Sequence, residues 1–132
     1  MIIFGIGTDI VNIKRMDLSL KKRGSTIKNR VFSKKEITYC ENKKNSSAFY
    51  AKRFAAKEAF SKALGTGIRK GVNLKNIEVS NNVLGKPSIS LKGNLKSYLK
   101  KRIKCKKYDI HLSLSDDKPW AQATVIISYN KR

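Results

Sequence analysis

Acidic residues are scarce in this chain: nine Asp and Glu stand against thirty Lys and Arg, for a formal charge of +21. A surface so poor in acids repels basic partners and steers anionic ones, while saying little about the fold. Three partner classes meet that demand: nucleic acid, an anionic membrane surface, or an acidic protein together with a phosphorylated small molecule. Histidine occurs once and cysteine twice, at His111, Cys40 and Cys105. The thiols match neither a metal-ligand spacing nor a disulfide framework, so two reduced cysteines are expected and a zinc site is not. Long apolar runs are lacking too, and nothing approaches the roughly 20 residues a spanning helix needs. The first residues enter an apolar strand without a basic leader, and a soluble cytoplasmic protein with no membrane insertion is the expectation. Repeats and low-complexity linkers are absent, and 132 residues fit one domain, 1–132, large enough to bury a core.

Because acids are rare, two of them stand out. Asp9 lies in Phe4-Gly-Ile-Gly-Thr-Asp-Ile10, and Glu58 lies in Arg53-Phe-Ala-Ala-Lys-Glu-Ala-Phe-Ser-Lys-Ala-Leu-Gly-Thr-Gly67, each among apolar or small residues. Neither setting serves solubility. Two such carboxylates suit a divalent cation. Residues Ile2 to Val11 alternate as a strand, with Ile2, Phe4, Ile6, Thr8 and Ile10 on one face and Ile3, Gly5, Gly7, Asp9 and Val11 on the other. The missing side chains at Gly5 and Gly7 leave room beside Asp9 for a ligand or for a closely packed backbone. In the second case Asp9 would serve as a cap for the next element.

The second acid belongs to a long helix predicted from about Ser46 to Leu64, with Phe49, Ala56, Phe60, Ala63 and Leu64 as its buried stripe and Gly65 as its stop. Phe54, Glu58, Ser61, Lys62 and Gly65 fall on one side, so Glu58 and Lys62 stack a turn apart beside Gly65-Thr66-Gly67. That spacing also fits an ordinary surface ion pair worth about 0.3 kcal/mol.

The remaining elements are read from period and punctuation. Ile13, Met16 and Leu20 mark a helix whose exposed side and exit carry Lys14, Arg15, Lys21, Lys22 and Arg23, ending near Gly24. Ser33 to Glu36 reads as a capping box opening a short helix through Cys40. Strands are predicted at Ile77 to Ser80 and Ser88 to Leu91, with Gly85-Lys86-Pro87 between them. A basic amphipathic helix spans Asn94 to Ile103. From Asp109 to Ser115 the pattern alternates again, with His111, Ser113 and Ser115 on a polar face, then turns at Asp116 to Pro119 into a closing strand from Trp120 to Tyr129. A histidine among serines is commonly a hydrogen-bonded structural residue, and Gly-Thr-Gly is commonly a helix stop.

Taken in order, these segments resemble the holo-acyl carrier protein synthase family, the small bacterial type of 4'-phosphopantetheinyl transferase. Three blocks carry the resemblance across essentially the whole chain: Gly5-Ile-Gly-Thr-Asp9-Ile-Val, then Arg53-Phe-Ala-Ala-Lys57-Glu58-Ala through Lys62-Ala-Leu-Gly-Thr-Gly67, then His111-Leu-Ser113-Leu-Ser with the closing Ala-Thr-Val-Ile-Ile strand. Gly85-Lys86-Pro87 adds a shorter one. The resemblance implies an α+β fold, an antiparallel sheet wrapped around a long central helix, assembled as a homotrimer with active sites in clefts between subunits. It implies transfer of the 4'-phosphopantetheine arm of coenzyme A to a serine of apo-acyl carrier protein, with magnesium. Such carrier proteins are acidic, which accounts for the cationic surface better than nucleic acid does.

The same resemblance assigns roles residue by residue. Asp9 and Glu58 would hold Mg2+, and Glu58 and Lys62 would be catalytic. Arg53, Lys62, Gly65, Thr66, Gly67, Lys86, Pro87, His111 and Ser113 would line the coenzyme A site. Lys14, Arg15, Lys21, Lys22 and Arg23 would receive the carrier protein. The chain departs from common family variants at Asp116, where a second histidine is frequent, and at Phe54, where tryptophan is. The alternative reading is a small basic nucleic-acid-binding protein, which explains the lysines but not the two carboxylates.

Overall fold

A computed structural model describes residues 1–66 and 72–131. Strand β1 (Ile2–Asn12) runs directly into helix α1 (Ile13–Val31), followed by α2 (Lys34–Glu41) and the long helix α3 (Ser46–Leu64). A 3-10 turn (Leu74–Asn76) leads to the hairpin of β2 (Ile77–Asn81) and β3 (Pro87–Leu91), then to α4 (Leu95–Ile103) and a second hairpin of β4 (Asp109–Asp117) and β5 (Trp120–Tyr129). The sheet order is β1-β5-β4, antiparallel throughout, with β2-β3 forming a separate antiparallel pair. Both sheets pack against α3, so the expected α+β wrapping holds, with two small sheets sharing the task.

Sequence explains how β1 comes so near α3. Gly7 has no Cβ, and one placed there would overlap the carbonyl oxygen of Ala59 and lie 2.7 Å from the Ala63 nitrogen. Gly5 meets Ala63 in the same way. The two backbones therefore touch without intervening side chains, and the alanines of α3 provide the matching floor. Of the two uses foreseen for that gap, a closely packed backbone is the one adopted. Asp9 does not cap the following helix; Asn12 does, its Oδ1 accepting the Arg15 N–H at 3.0 Å.

Some expectations need correction. Strict alternation along β1 fails between Ile3 and Gly5, where the register with β5 slips by a bulge. Beyond it Gly7, Asp9 and Val11 turn to α3, while Ile6 and Ile10 are left 65% and 61% exposed. Helix α1 does not end near Gly24. It bends there, with Arg23 at φ −138° and ψ 39°, and continues to Val31 because Ile27 and Val31 extend its apolar stripe onto the cluster around Phe32 and Tyr50. The α3 stripe is also wider than predicted: Ala48, Tyr50, Ala51, Arg53, Ala55, Lys57, Ala59 and Ser61 are buried beside Ala56, Phe60, Ala63 and Leu64, whereas Phe49 is half-buried. Covered on most sides by strands and helices, α3 has little polar face left. In the last hairpin β4 runs through Asp117, so the turn is shorter than Asp116 to Pro119.

Buried charge ties the outer elements to α3. The Lys57 ammonium, fully buried, donates to Glu36 Oε1 at 2.8 Å, to the Leu74 carbonyl at 2.9 Å and to the Ile77 carbonyl. Burial lowers its pKa, and the Glu36 carboxylate works against that shift. Glu36 also accepts the Ser33 N–H at 2.8 Å, completing the predicted capping box, and the Val79 N–H at 2.9 Å. One carboxylate thus joins the start of α2, the middle of α3 and strand β2. Both cysteines are free, and burial pushes the Cys40 thiol up to about 11.

The tight contact predicts an asymmetry among glycines. Gly7→Ala is expected to lose about 3 kcal/mol or more of unfolding free energy in urea. Gly24→Ala, where a Cβ meets nothing within 4 Å, is expected to change it by less than about 1 kcal/mol.

Candidate active site

Asp9 and Glu58 meet because β1 and α3 do. Asp9 follows Gly7 by one alternation and so faces the helix, with its side chain 17% exposed. Lys62 reaches across from α3 and donates to Asp9 Oδ1 at 3.1 Å and to the Thr8 carbonyl at 3.0 Å. The lysine's counter-ion is therefore Asp9 on the strand, whereas its spacing pointed to Glu58 one turn before it. Side chains four apart can pair along a helix, but here a carboxylate from another element competes better.

Glu58 is left in a setting that disfavours its charge. Burial raises its pKa, the nearby Asp9 charge raises it further, and Lys62 offsets part of the effect. Its Oε2 is buried with no hydrogen-bond partner among the described residues. A buried carboxylate oxygen without a donor is costly, and native proteins rarely leave one. A second carboxylate beside it adds repulsion. Both penalties would be relieved by a divalent cation, and the donor set of two acids with no further His, Cys or acid grouped around them, among the described residues, suits an ion that keeps phosphate oxygens and water as its other ligands.

The rest of the predicted set is distributed. Gly65 stops α3 in the left-handed region at φ 87°, its N–H donating to the Lys62 carbonyl at 3.0 Å, and Thr66 follows it. Gly67 lies outside the described residues. Lys86 is exposed in the turn of the β2-β3 hairpin, and Pro87 opens β3. Arg53 is buried at 2% exposure, with its guanidinium over the Tyr39 ring and its Nη2 donating to Asn81 Oδ1 at 2.7 Å. His111 and Ser113 stand on the exposed face of the sheet, opposite α3, where His111 Nε2 lies 3.0 Å from Ser128 Oγ. Within one chain the structure brings together Asp9, Glu58, Lys62 and Gly65, and it keeps His111 and Ser113 on the far side of the sheet. Lys14, Arg15, Lys21, Lys22 and Arg23 are exposed along the first half of α1, with Lys21 3.0 Å from Asp17.

Three residues near the site went unread in the sequence. Glu36 was visible only as a cap, Lys57 only as part of a motif, and Asn81 not at all. The available signal was the four-residue spacing of Arg53 and Lys57 inside an alanine-rich helix, where cations that cannot reach water need partners.

Residues 5–125 match the family model described as the 4'-phosphopantetheinyl transferase superfamily, and the chain belongs to that superfamily. Within it, the chain is similar to the curated holo-[acyl-carrier-protein] synthase of Pelagibacter ubique, 49% identical over 127 residues that cover 96% of this chain and 98% of the relative. Among solved structures it is similar to holo-[acyl-carrier-protein] synthase from Neisseria meningitidis, with a TM-score of 0.87, 37% identity and coverage of 98% of this chain and 100% of that one. It is also similar to a holo-(acyl-carrier-protein) synthase from Bacillus anthracis in complex with CoA (3',5'-ADP), with a TM-score of 0.79, 34% identity and coverage of 98% and 100%.

The strained setting of Glu58 has a pH signature. Because its pKa is raised in the fold above the ordinary 4.5, the stability tied to its proton is present below 4.5 and is lost as pH rises through the folded value. With chelator present, Glu58→Gln is therefore expected to raise Tm by a few degrees at neutral pH, the gain shrinking as pH falls through the raised folded value and vanishing below 4.5. A neutral-pH Tm equal to or below that of the parent chain would contradict this account.

Proposed function

We propose that this chain is a magnesium-dependent holo-[acyl-carrier-protein] synthase, moving the 4'-phosphopantetheine arm of coenzyme A onto a serine hydroxyl of an apo-acyl carrier protein. The observation that carries the reading is Asp9 close to Glu58, whose buried Oε2 has no hydrogen-bond partner among the described residues, with Lys62 beside them. In the reaction the serine oxygen forms a bond to the β-phosphorus of coenzyme A. The anhydride bond to the α-phosphate breaks, and adenosine 3',5'-bisphosphate leaves with the bridging oxygen. Asp9 and Glu58 would hold magnesium, which when bound neutralises and orients the diphosphate. Lys62, 3.1 Å from Asp9, would meet the charge building on the leaving phosphate. Glu58, acting through a water, takes up the serine proton, since a carboxylate ligating a cation is a poor direct base.

Coenzyme recognition is assigned to Lys62, Gly65, Thr66, Gly67, Lys86, Pro87, His111 and Ser113, with Arg53 behind them. Placement of His111 and Ser113 across the sheet from Glu58 supports a site completed by a second subunit, in keeping with a homotrimer. The outer face that would carry the contact holds Ile6 and Ile10 opposite Ile126 and Gln122 of β5. Carrier docking is assigned to Lys14, Arg15, Lys21, Lys22 and Arg23 on α1. Past its bend the helix borders a groove of about 970 Å³ lined by Lys22, Arg23, Thr26, Ile27 and Arg30 together with Leu74, a basic rim over an apolar floor that suits an acidic amphipathic helix. Cytoplasmic action on soluble substrates fits a chain in which, among the described residues, no helix is long and apolar enough to cross a membrane. Nucleic acid binding gains nothing from two carboxylates in a cleft.

Incubation with coenzyme A, magnesium and apo-acyl carrier protein, followed by mass spectrometry of the carrier, is expected to show the added phosphopantetheine. Asp9→Ala and Glu58→Ala should each reduce transfer by at least about a thousandfold. No transfer by the parent chain, with salt-sensitive stabilisation by RNA or duplex DNA instead, would favour the nucleic-acid reading. In the same assay the double variant Lys14→Glu with Arg15→Glu is expected to raise KM for the carrier about tenfold or more while leaving KM for coenzyme A unchanged. An unchanged carrier KM would remove α1 from the docking surface.

A further inference from the structure

We infer that Arg53 is a positioning residue, acting through Asn81 to hold the Gly85-Lys86-Pro87 turn where coenzyme A is recognised. This rests on the transferase reading above but concerns how one part of the site is built.

At 2% exposure, Arg53 has no open path to a ligand within its own chain. Its guanidinium lies over Tyr39, 4.1 Å from the ring centroid, and Nη2 gives a short 2.7 Å bond to Asn81 Oδ1. The other end of the same amide, Asn81 Nδ2, donates to the Gly85 carbonyl at 2.9 Å. Each end of that amide is thus engaged, so Asn81 serves as a link between helix and turn. The turn beyond it is closed by Asn82, whose Oδ1 accepts the N–H groups of Leu84 at 3.0 Å and Lys86 at 2.9 Å, and whose N–H donates to the Lys86 carbonyl at 2.9 Å. Among the described residues the one side-chain tie of this turn to α3 is the Arg53–Asn81 contact, so the turn's own hydrogen bonds are braced from outside only there.

Spacing on α3 gives this tie its meaning. Lys57, one turn after Arg53, fixes the Leu74 carbonyl in the 3-10 turn and the Ile77 carbonyl at the start of β2, and Arg53 fixes Asn81 at its end. Two cations four residues apart therefore pin both ends of β2 to the helix that carries Glu58 and Lys62. Helix and hairpin keep one spacing, and Lys86 keeps a defined place relative to the two acids. Arg53 is suited to this work because its planar fork both stacks and donates, which a lysine at the same position does not reproduce.

The test compares Arg53→Ala, Arg53→Lys, Asn81→Ala and the double alanine variant. Asn81→Ala alters a half-buried side chain and serves if Arg53→Ala folds poorly. Each single variant is expected to raise KM for coenzyme A about tenfold, with kcat at saturation within about twofold and carrier KM unchanged. The double variant should be no worse than Arg53→Ala, the mark of two residues acting as one unit. Amide hydrogen exchange should quicken at Leu84 and Lys86 in every variant, a readout that needs no turnover. A loss confined to Tm, with coenzyme KM and turn protection unchanged, would reduce Arg53 to a core residue. Parent-like coenzyme KM in Asn81→Ala, or recovery in Arg53→Lys, would point to direct phosphate contact and overturn the inference. Absence of transfer by the parent chain would defeat the transferase reading, while the exchange measurement would still decide whether the relay exists.

Discussion

Backbone-to-backbone contact between β1 and α3 is the constraint on which the other features depend. Gly5 and Gly7 let the strand lie against Ala59 and Ala63 with no side chain between them. A strand held off by ordinary side chains would leave Asp9 too far out to influence Glu58. The electrostatic tension at the site, an acid pair with a buried oxygen that has no partner among the described residues, is thus a consequence of a steric fact about two glycines. The acid pair is tolerated because the core around it is tightly determined: the alanines of α3, Ala123, Val125 and Ile127 of β5, and Leu95, Leu99 and Ile103 of α4 belong to one buried cluster.

A second set of constraints is ionic. Burying Lys57, Glu36 and Arg53 costs desolvation energy that apolar side chains of like size would not. What the charges provide is direction. Lys57 and Glu36 bond to named backbone groups on α2, the 3-10 turn and β2, and Arg53 bonds to Asn81, so register between layers is fixed at defined atoms. Apolar packing alone tolerates sliding; hydrogen-bonded charge does not.

Much of this fold was legible because local signals agreed with the tertiary outcome. The long helix was predicted at Ser46 to Leu64 with Gly65 as its stop, and both are as found, since Gly65 alone in that stretch adopts a left-handed φ at no steric cost. The capping box at Ser33 and the alternation at Asp109 to Ser115 were equally local. Gly24 shows where such reasoning fails: glycine marks a weak point, but whether the helix ends or bends depends on the apolar residues beyond it, and Ile27 and Val31 find a surface to cover. The Glu58 and Lys62 spacing misled for a related reason. Periodicity reports neighbours along one helix, and the lysine answered to a carboxylate on another element. Glu36 meeting Lys57, or Arg53 meeting Asn81, lay beyond any periodicity, because each contact joins segments more than twenty residues apart. The exposed Ile6 and Ile10 were unreadable as such, since alternation identifies two faces of a strand without saying which one the chain itself will cover.

The glycine contact has a mechanical side. Where backbone fills the gap between two elements, no rotamer change can absorb a slide of one along the other, so β1 and α3 behave as a single rigid body carrying both acids. Accommodation of a bulky visitor then falls to the part fastened by apolar side chains and surface charge, the distal half of α1 beyond its bend. Stiffness where charge must be aimed, and compliance where shape must be matched, are set by nothing more than which neighbours lack a Cβ.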